Sequence, residues 1–430
     1  MSSDTSVLRS AASTQIAIKS VCAIMPGYGA VGEEFGRLVP TAEIVEGIRP
    51  GRDKDLPGSF VEDKLGIASV ATTHATAAAA RAAVDSGLDW DAAAAAIPKP
   101  AGNADLWAML TRAMDIALTR HERASGTGAA RATSIAGHLH FAANGDNPTA
   151  FAILECRRNA GCHKPGLPGE YMISGCAGLF FALRHAEFLL RHTEARHDPD
   201  AYVLITAASD LLPFAHTRGR APEGHRADLN SWLFQTIFGE GVGAMVVGHA
   251  DVGQESVGQA GVGRAGVGHA GGDQPGGHWR VEDTGWETVA DDWRVSFRSD
   301  GGPRMVIRAR DVSATFRSSV PDAAREGLRQ LGLKEADDLH RLCIHESNPF
   351  LVAAAAKDLE APSGLVHSLS AEVGTLGGVS VFSLLEEAIH TNQPASHARD
   401  GIVCALIGET GDAVVAGHLA LRHIPHQVSR

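Results

Sequence analysis

Apolar and polar positions alternate along the chain in two different rhythms. Residues 16–25 (IAIKSVCAIM) form an apolar run closed by Pro26 and Gly27, which predicts a strand. Residues 71–97 are alanine-rich up to Pro98 and predict one or two helices, and residues 106–121 predict another. A short apolar stretch at 171–174 meets Gly175, and residues 179–190 (LFFALRHAEFLL) then predict a buried helix. Residues 201–207 (AYVLITA) and 243–248 (GAMVVG) predict strands. Further on, residues 281–297 and 305–309 look like strand material, 321–331 a helix, and 342–345 a strand end. Residues 351–359 and 379–389 predict helices, and residues 401–407 (GIVCALI) a strand. Strand and helix in alternation predict an α/β architecture.

Between these two stretches lies a glycine-rich insert, residues 251–277, with a recurring V-G-x-A theme. It has too few apolar side chains to offset the entropy of ordering and is expected to be a flexible linker. The boundaries that follow are an N-terminal half over 15–250, the insert over 251–277 and a C-terminal half over 278–425. Similar α/β material on both sides suggests internal duplication, although no repeat shows in the letters.

Composition narrows the function. The 430 residues are 44% hydrophobic and 20% charged, which is globular, and 48 glycines with only 5% aromatics suit close packing. A formal net charge of -12 argues against nucleic acid as a partner, because phosphate binding relies on basic surface. An acidic carrier protein would need a local basic patch, and arginine clusters occur at 218–226 and 317–329. The six cysteines are scattered without a CxxC pair, so neither a disulfide framework nor a metal site is expected. Residues 1–15 are polar with no apolar signal core following, and no run of 18 apolar residues occurs. A cytoplasmic protein with reduced thiols and no membrane partner is the expectation.

Chemistry points to Ser174-Gly175-Cys176-Ala177-Gly178, between the short apolar stretch and the buried helix. A thiol at a helix N-terminus meets backbone N–H groups and the positive end of the helix dipole, and both favour the thiolate. The flanking glycines allow a sharp turn and close approach of a substrate. Residues 238–247 (FGEGVGAMVV) mimic a phosphate loop, but a strand follows these glycines where a dinucleotide site needs a helix, so nucleotide binding is not expected.

Several motifs together resemble the 3-oxoacyl-acyl-carrier-protein synthase III family of the thiolase superfamily. They are GCAGLFFALRHAEFLL at 175–190, VLITAASD at 203–210, FGEGVGAMVV at 238–247 and FVEDKLGIASV at 60–70, in the family's order. The resemblance implies a thiolase fold, with two duplicated α/β halves packed as a layered αβαβα sandwich. It implies that Cys176 is the acyl-carrying nucleophile. His345, in His345-Glu346-Ser347-Asn348, falls on the family's catalytic histidine. The family's catalytic asparagine falls on Thr375, a real departure. His426, in Pro425-His426-Gln427, is a decoy, since only Val428, Ser429 and Arg430 follow that motif. No cofactor is expected to stay bound. Acyl-CoA or acyl-carrier-protein thioesters would be the substrates, and a homodimer, or a heterodimer with a homologous subunit, the assembly.

Three activities remain open on these residues. The first is decarboxylating condensation of an acyl-Cys176 with a malonyl or 3-oxoacyl thioester, in secondary metabolism. The second is acyl transfer to oxygen or nitrogen without loss of CO2, which the Thr375 substitution favours because a hydroxyl reaches less far than a carboxamide. The third is a non-catalytic partner subunit, against which Cys176 and His345 both speak. The resemblance also implies an oxyanion hole made by the Cys176 N–H together with the 377–380 segment.

Overall fold

The computed structural model describes residues 16–48, 57–86, 103–125, 131–142, 147–173, 175–212, 236–250, 277–290, 295–298, 304–307, 309–345, 348–390, 401–410 and 413–425. Most of the insert, the 218–226 arginine cluster, Ser174, Glu346, Ser347, His426 and residues 87–97 lie outside these.

The strands are β1 (Ile16–Ile24), β2 (Gly36–Pro40), β3 (Ser69–Thr73), β4 (Ile135–Ala142), β5 (Gly169–Ile173), β6 (Tyr202–Ser209), β7 (Gly241–His249), β8 (Gly277–Ala290), β9 (Val295–Arg298), β10 (Arg304–Ile307), β11 (Arg341–Ile344), β12 (Gly401–Thr410) and β13 (Ala413–Pro425). Nine of them form one sheet in the order β11-β12-β13-β8-β1-β7-β6-β4-β5. β4 runs parallel to β5 and β6, and β11 parallel to β12; the other pairings are antiparallel. β1 and β8 join the two halves through only Ala17↔Arg280 and Ile18↔Trp279.

Most elements of the two halves correspond around that seam, although β5 has no counterpart beside β11 among the described residues. β1 corresponds to β8, β4 to β11, β6 to β12 and β7 to β13. The 22-residue helices Ala104–Ser125 and Ala309–Gln330 correspond, as do Asn147–Asn159 and Pro349–Asp358. So do Gly178–His192 and Ser380–His390, each preceded by a three-residue 3-10 turn.

Strand periodicity explains the layering, because successive side chains face opposite sides. On β6, Val203, Ile205 and Ala207 face a central core, while Tyr202, Leu204 and Ala208 face an outer one with Leu106, Met109, Leu110, Ala113 and Leu118 of helix Ala104–Ser125. On β12, Ile402, Cys404 and Leu406 face the same central core, and Val403, Ala405 and Ile407 face Phe316, Val320, Ala324 and Leu328 of helix Ala309–Gln330. Helices Gly178–His192 and Ser380–His390 both place apolar side chains in the central core. This is the expected αβαβα sandwich. Each fully buried Leu or Phe adds roughly 1.5–3 kcal/mol, so these two central helices are firmly anchored.

Three local expectations are corrected. Residues 71–73 end strand β3, and the helix begins at His74. The β-branched pair Thr72-Thr73 follows Val70, and pairing with β2 outweighs the alanine-rich composition. The helix expected from Pro321 starts at Ala309 and runs through that proline. One backbone donor is lost there, while Phe316, Val320, Ala324 and Leu328 keep the helix on the sheet. Residues 305–309 are accordingly strand only to Ile307. Strands β2, β4 and β13 and helix Asn147–Asn159 went unpredicted. Among the described residues no helix is long and apolar enough to cross a membrane.

Candidate active site

Cys176 is the middle residue of the 3-10 turn Gly175–Ala177, and helix Gly178–His192 starts directly after it. The chain arrives from the C-terminal end of β5 and turns before entering a helix whose inner face is wholly buried. The thiol therefore sits at the helix N-terminus, as the sequence predicted. It is also the one cysteine of the six that is partly exposed. Burial raises the thiol pKa of Cys22, with Glu386 adding to the rise; it pushes Cys162 up to about 11, and it raises Cys156 and Cys404 as well. Those four thiols are held protonated and away from solvent, and Cys343 is buried as well, which leaves Cys176 as the accessible candidate nucleophile.

Two backbone segments close around it. Gly377 (φ +55°) opens the 3-10 turn Gly377–Val379, and a Cβ on it would lie 3.8 Å from Cys176 Sγ. On β12, Gly408 approaches more closely: a Cβ there would fall 2.6 Å from Cys176 Cβ. Only glycine fits at 408, since real Cβ contacts do not reach that distance. The Gly377-Gly378 segment thus meets the Cys176 turn as expected; the role of Gly408 was not anticipated, because one glycine near a strand end carries no signal of its own.

His345 follows β11 directly and its N–H donates to Ala405 O on β12 at 2.9 Å. Its ring is buried, and burial pushes its pKa down to about 4. The imidazole is therefore neutral at pH 7. Ala405 and Gly408 are three residues apart on one strand, about 10 Å along it. β12 therefore seats both His345 and Cys176.

Thr375 is buried, and its backbone is gripped from both sides. Its N–H donates to Ile237 O at 2.6 Å, and Gly239 N–H donates to Thr375 O at 3.0 Å. It lies two residues before Gly377, on the same loop that covers the Cys176 thiol. The three residues singled out in the sequence thus sit on segments that converge on the end of β12. The fourth residue of the histidine motif, Asn348, has a local duty: its side chain accepts from Leu351 N at 3.0 Å and caps helix Pro349–Asp358.

The 317–329 arginines are less available than their number suggests. Arg325 pairs with Asp322 and Asp358, each at 2.9 Å, and Arg329 pairs with Glu326. Phe350, near the start of helix Pro349–Asp358, is instead exposed.

The layered duplicated fold is the thiolase fold. Solved structures with this architecture include the 3-oxoacyl-(acyl carrier protein) synthase III of Pseudomonas aeruginosa PAO1, which is 15% identical with a TM-score of 0.60, over 96% of this chain and 99% of that one. The tetronic acid condensing enzyme AbyA1 is 17% identical with a TM-score of 0.62, over 95% and 99%. OleA of Xanthomonas campestris, solved with lauric acid and lauroyl-CoA, is 14% identical with a TM-score of 0.63, over 95% and 99%. No family model matches the chain. No curated protein matches it by sequence.

Proposed function

We propose that the protein is an acyltransferase that loads an acyl group onto Cys176 as a thioester and then condenses it with a malonyl thioester, releasing CO2. The observation that carries this reading is the placement of the half-buried Cys176 at a helix start, against the Gly377 loop that bears Thr375 and the strand that seats His345. Overall likeness to structures of condensing enzymes supports it.

The first step needs a thiolate and backbone donors. The Cys176 sulfur attacks the thioester carbonyl of an acyl-CoA or acyl carrier protein, the tetrahedral oxyanion takes hydrogen bonds from backbone N–H groups, and the donor thiol leaves. In the second step the malonyl C–C bond breaks. Its electron pair becomes an enolate and CO2 departs; the α-carbon then attacks the Cys176 thioester and expels the thiolate. His345, neutral because it is buried, donates an N–H to the enolate oxygen, and the Thr375 hydroxyl is the second donor.

Transfer to an alcohol or amine is the second reading, and Thr375 favours it. Against it stands the pKa of His345. A ring held near 4 is a poor general base for a hydroxyl but keeps its N–H as a hydrogen-bond donor. A second subunit, identical or homologous, fits the exposed edge of β5, since the helices before and after it expose Phe151 (75%) and Phe188 (55%). The departures from the family pattern support a place in secondary metabolism. With the acyl-enzyme in hand, labelled malonyl thioester separates the two readings: CO2 release that depends on His345 supports condensation, and discharge onto a small alcohol or amine without CO2 release supports transfer.

A further inference from the structure

FGEGVGA, the glycine-rich motif set aside as a nucleotide loop, has a different position in the molecule. Its Glu240 is fully buried immediately before β7, with both carboxylate oxygens occupied by neutral donors. Oε1 accepts from Thr76 Oγ1 at 2.7 Å, Asn103 Nδ2 at 2.9 Å and Leu211 N at 3.2 Å. Oε2 accepts from Thr73 N at 2.7 Å. A buried carboxylate is costly unless its lone pairs are satisfied, so four donors on one side chain mark a site with a strict geometry.

The segments that this carboxylate joins are the supports of the Thr375 loop. The residue before it, Gly239, donates to Thr375 O, and Ile237 accepts from Thr375 N. Glu240 N–H donates to Ala71 O on β3, and its side chain takes Thr73 N two residues further along that strand. β3 and the residue before it in turn hold the short helix Ser370–Val373 just ahead of Thr375, through Ala68 N to Ala371 O at 2.8 Å and through Ser69 Oγ to Glu372 O. Both ledges under the loop are therefore tied at a single buried side chain.

We propose that Glu240 is a positioning residue: its hydrogen-bonded carboxylate fixes segment 237–239 and β3 so that the Thr375 hydroxyl stands where the enolate forms. This rests on the acyl-transfer reading above. It assigns a job to the glycine-rich motif in the second step of the reaction, with the first step largely spared because Cys176 is held by its own helix and by β12.

The test separates positioning from plain stability. In Glu240→Gln one oxygen becomes an NH2 that faces donors, and in the milder Thr76→Val one donor is removed at nearly constant shape. Acylation of Cys176 and CO2 release from malonyl thioester are measured separately for both, alone and combined with Thr375→Ala. The expected result is a fall of about 10-fold in CO2 release with acylation changed less than about 3-fold, and no further fall when Thr375 is already alanine. Equal losses in the two steps, or losses that multiply in the Thr375→Ala background, overturn the proposal. Hydrogen exchange of the Thr375 and Gly239 amides in Thr76→Val decides it independently of chemistry. Exchange faster by about 10-fold supports the assignment even if wild-type protein takes no acyl group, an outcome that counts against the acyl-transfer reading instead. Unchanged exchange overturns it.

Discussion

Gly408 on β12 lies so close to Cys176 that a Cβ at 408 would come 2.6 Å from the cysteine Cβ and 2.5 Å from Ala177 N. The strand that seats His345 is thereby the back wall of the nucleophile turn. Gly408→Ala must push the turn away from β12. A loss of about 1–3 kcal/mol in stability and of about 100-fold in acylation rate is expected. Denaturant melts and intact-mass kinetics check both; a variant that acylates at the wild-type rate would show that this contact does not set the thiol's position.

His345 gives a pH prediction with a definite sign. Its folded pKa is about 4, below the unfolded value of ~6.5. The unfolded chain therefore binds the extra proton between these values, and stability is full above ~6.5 and declines as pH falls toward 4. The contribution of this one ring is roughly 3 kcal/mol over that window. His345→Asn should flatten the stability curve between pH 7.5 and 5 relative to wild type. CO2 release, for which His345 only donates an N–H, should stay level down to about pH 5, where the ring keeps one protonation state. An unchanged stability slope in the variant would contradict the buried neutral histidine.

Thr375 carries the distinction between the two chemical readings. Thr375→Val keeps the shape and removes the hydroxyl. CO2 release should fall about 30-fold, equivalent to about 2 kcal/mol, while acylation of Cys176 changes less than about 3-fold. Loss of acylation instead would move Thr375 out of the second step.

The narrow seam between the halves predicts a stability effect far from the thiol. Where β1 has parted from β8, Glu386 takes over the edge: it accepts from Ala23 N at 2.7 Å and pairs with Arg120 at 2.6 Å. Glu386→Ala leaves both donors without that acceptor and should cost about 2 kcal/mol, with acylation unaffected. A neutral result in urea melts would mean that water replaces the carboxylate there.

How far the sequence could be read follows from where the signals lie. Residues 179–190 and 379–389 were visible because both helices are apolar on the faces they bury in the central core. Cys176 was visible because a Gly-Cys-Ala-Gly turn stands between a strand and such a helix, and because the motifs around it resemble those of the 3-oxoacyl-acyl-carrier-protein synthase III family in order and spacing. β4 escaped because His138 and His140 interrupt it; in the fold both are buried and share the Thr206 hydroxyl, each at 2.8 Å, a satisfaction that only tertiary contacts supply. β13 escaped for a similar reason, since His418 on it is paired with Asp283 at 2.9 Å. Gly408 and Glu240 were out of reach because their meaning lies in contacts with residues far away along the chain.

The most direct measurement is peptide mass analysis after incubation with a panel of acyl-CoA and acyl-carrier-protein donors. The account predicts one added acyl group on the peptide containing Cys176, none on the peptides of the five buried cysteines, and none in Cys176→Ala. Absence of any adduct across the panel, or an adduct confined to another residue, would contradict it.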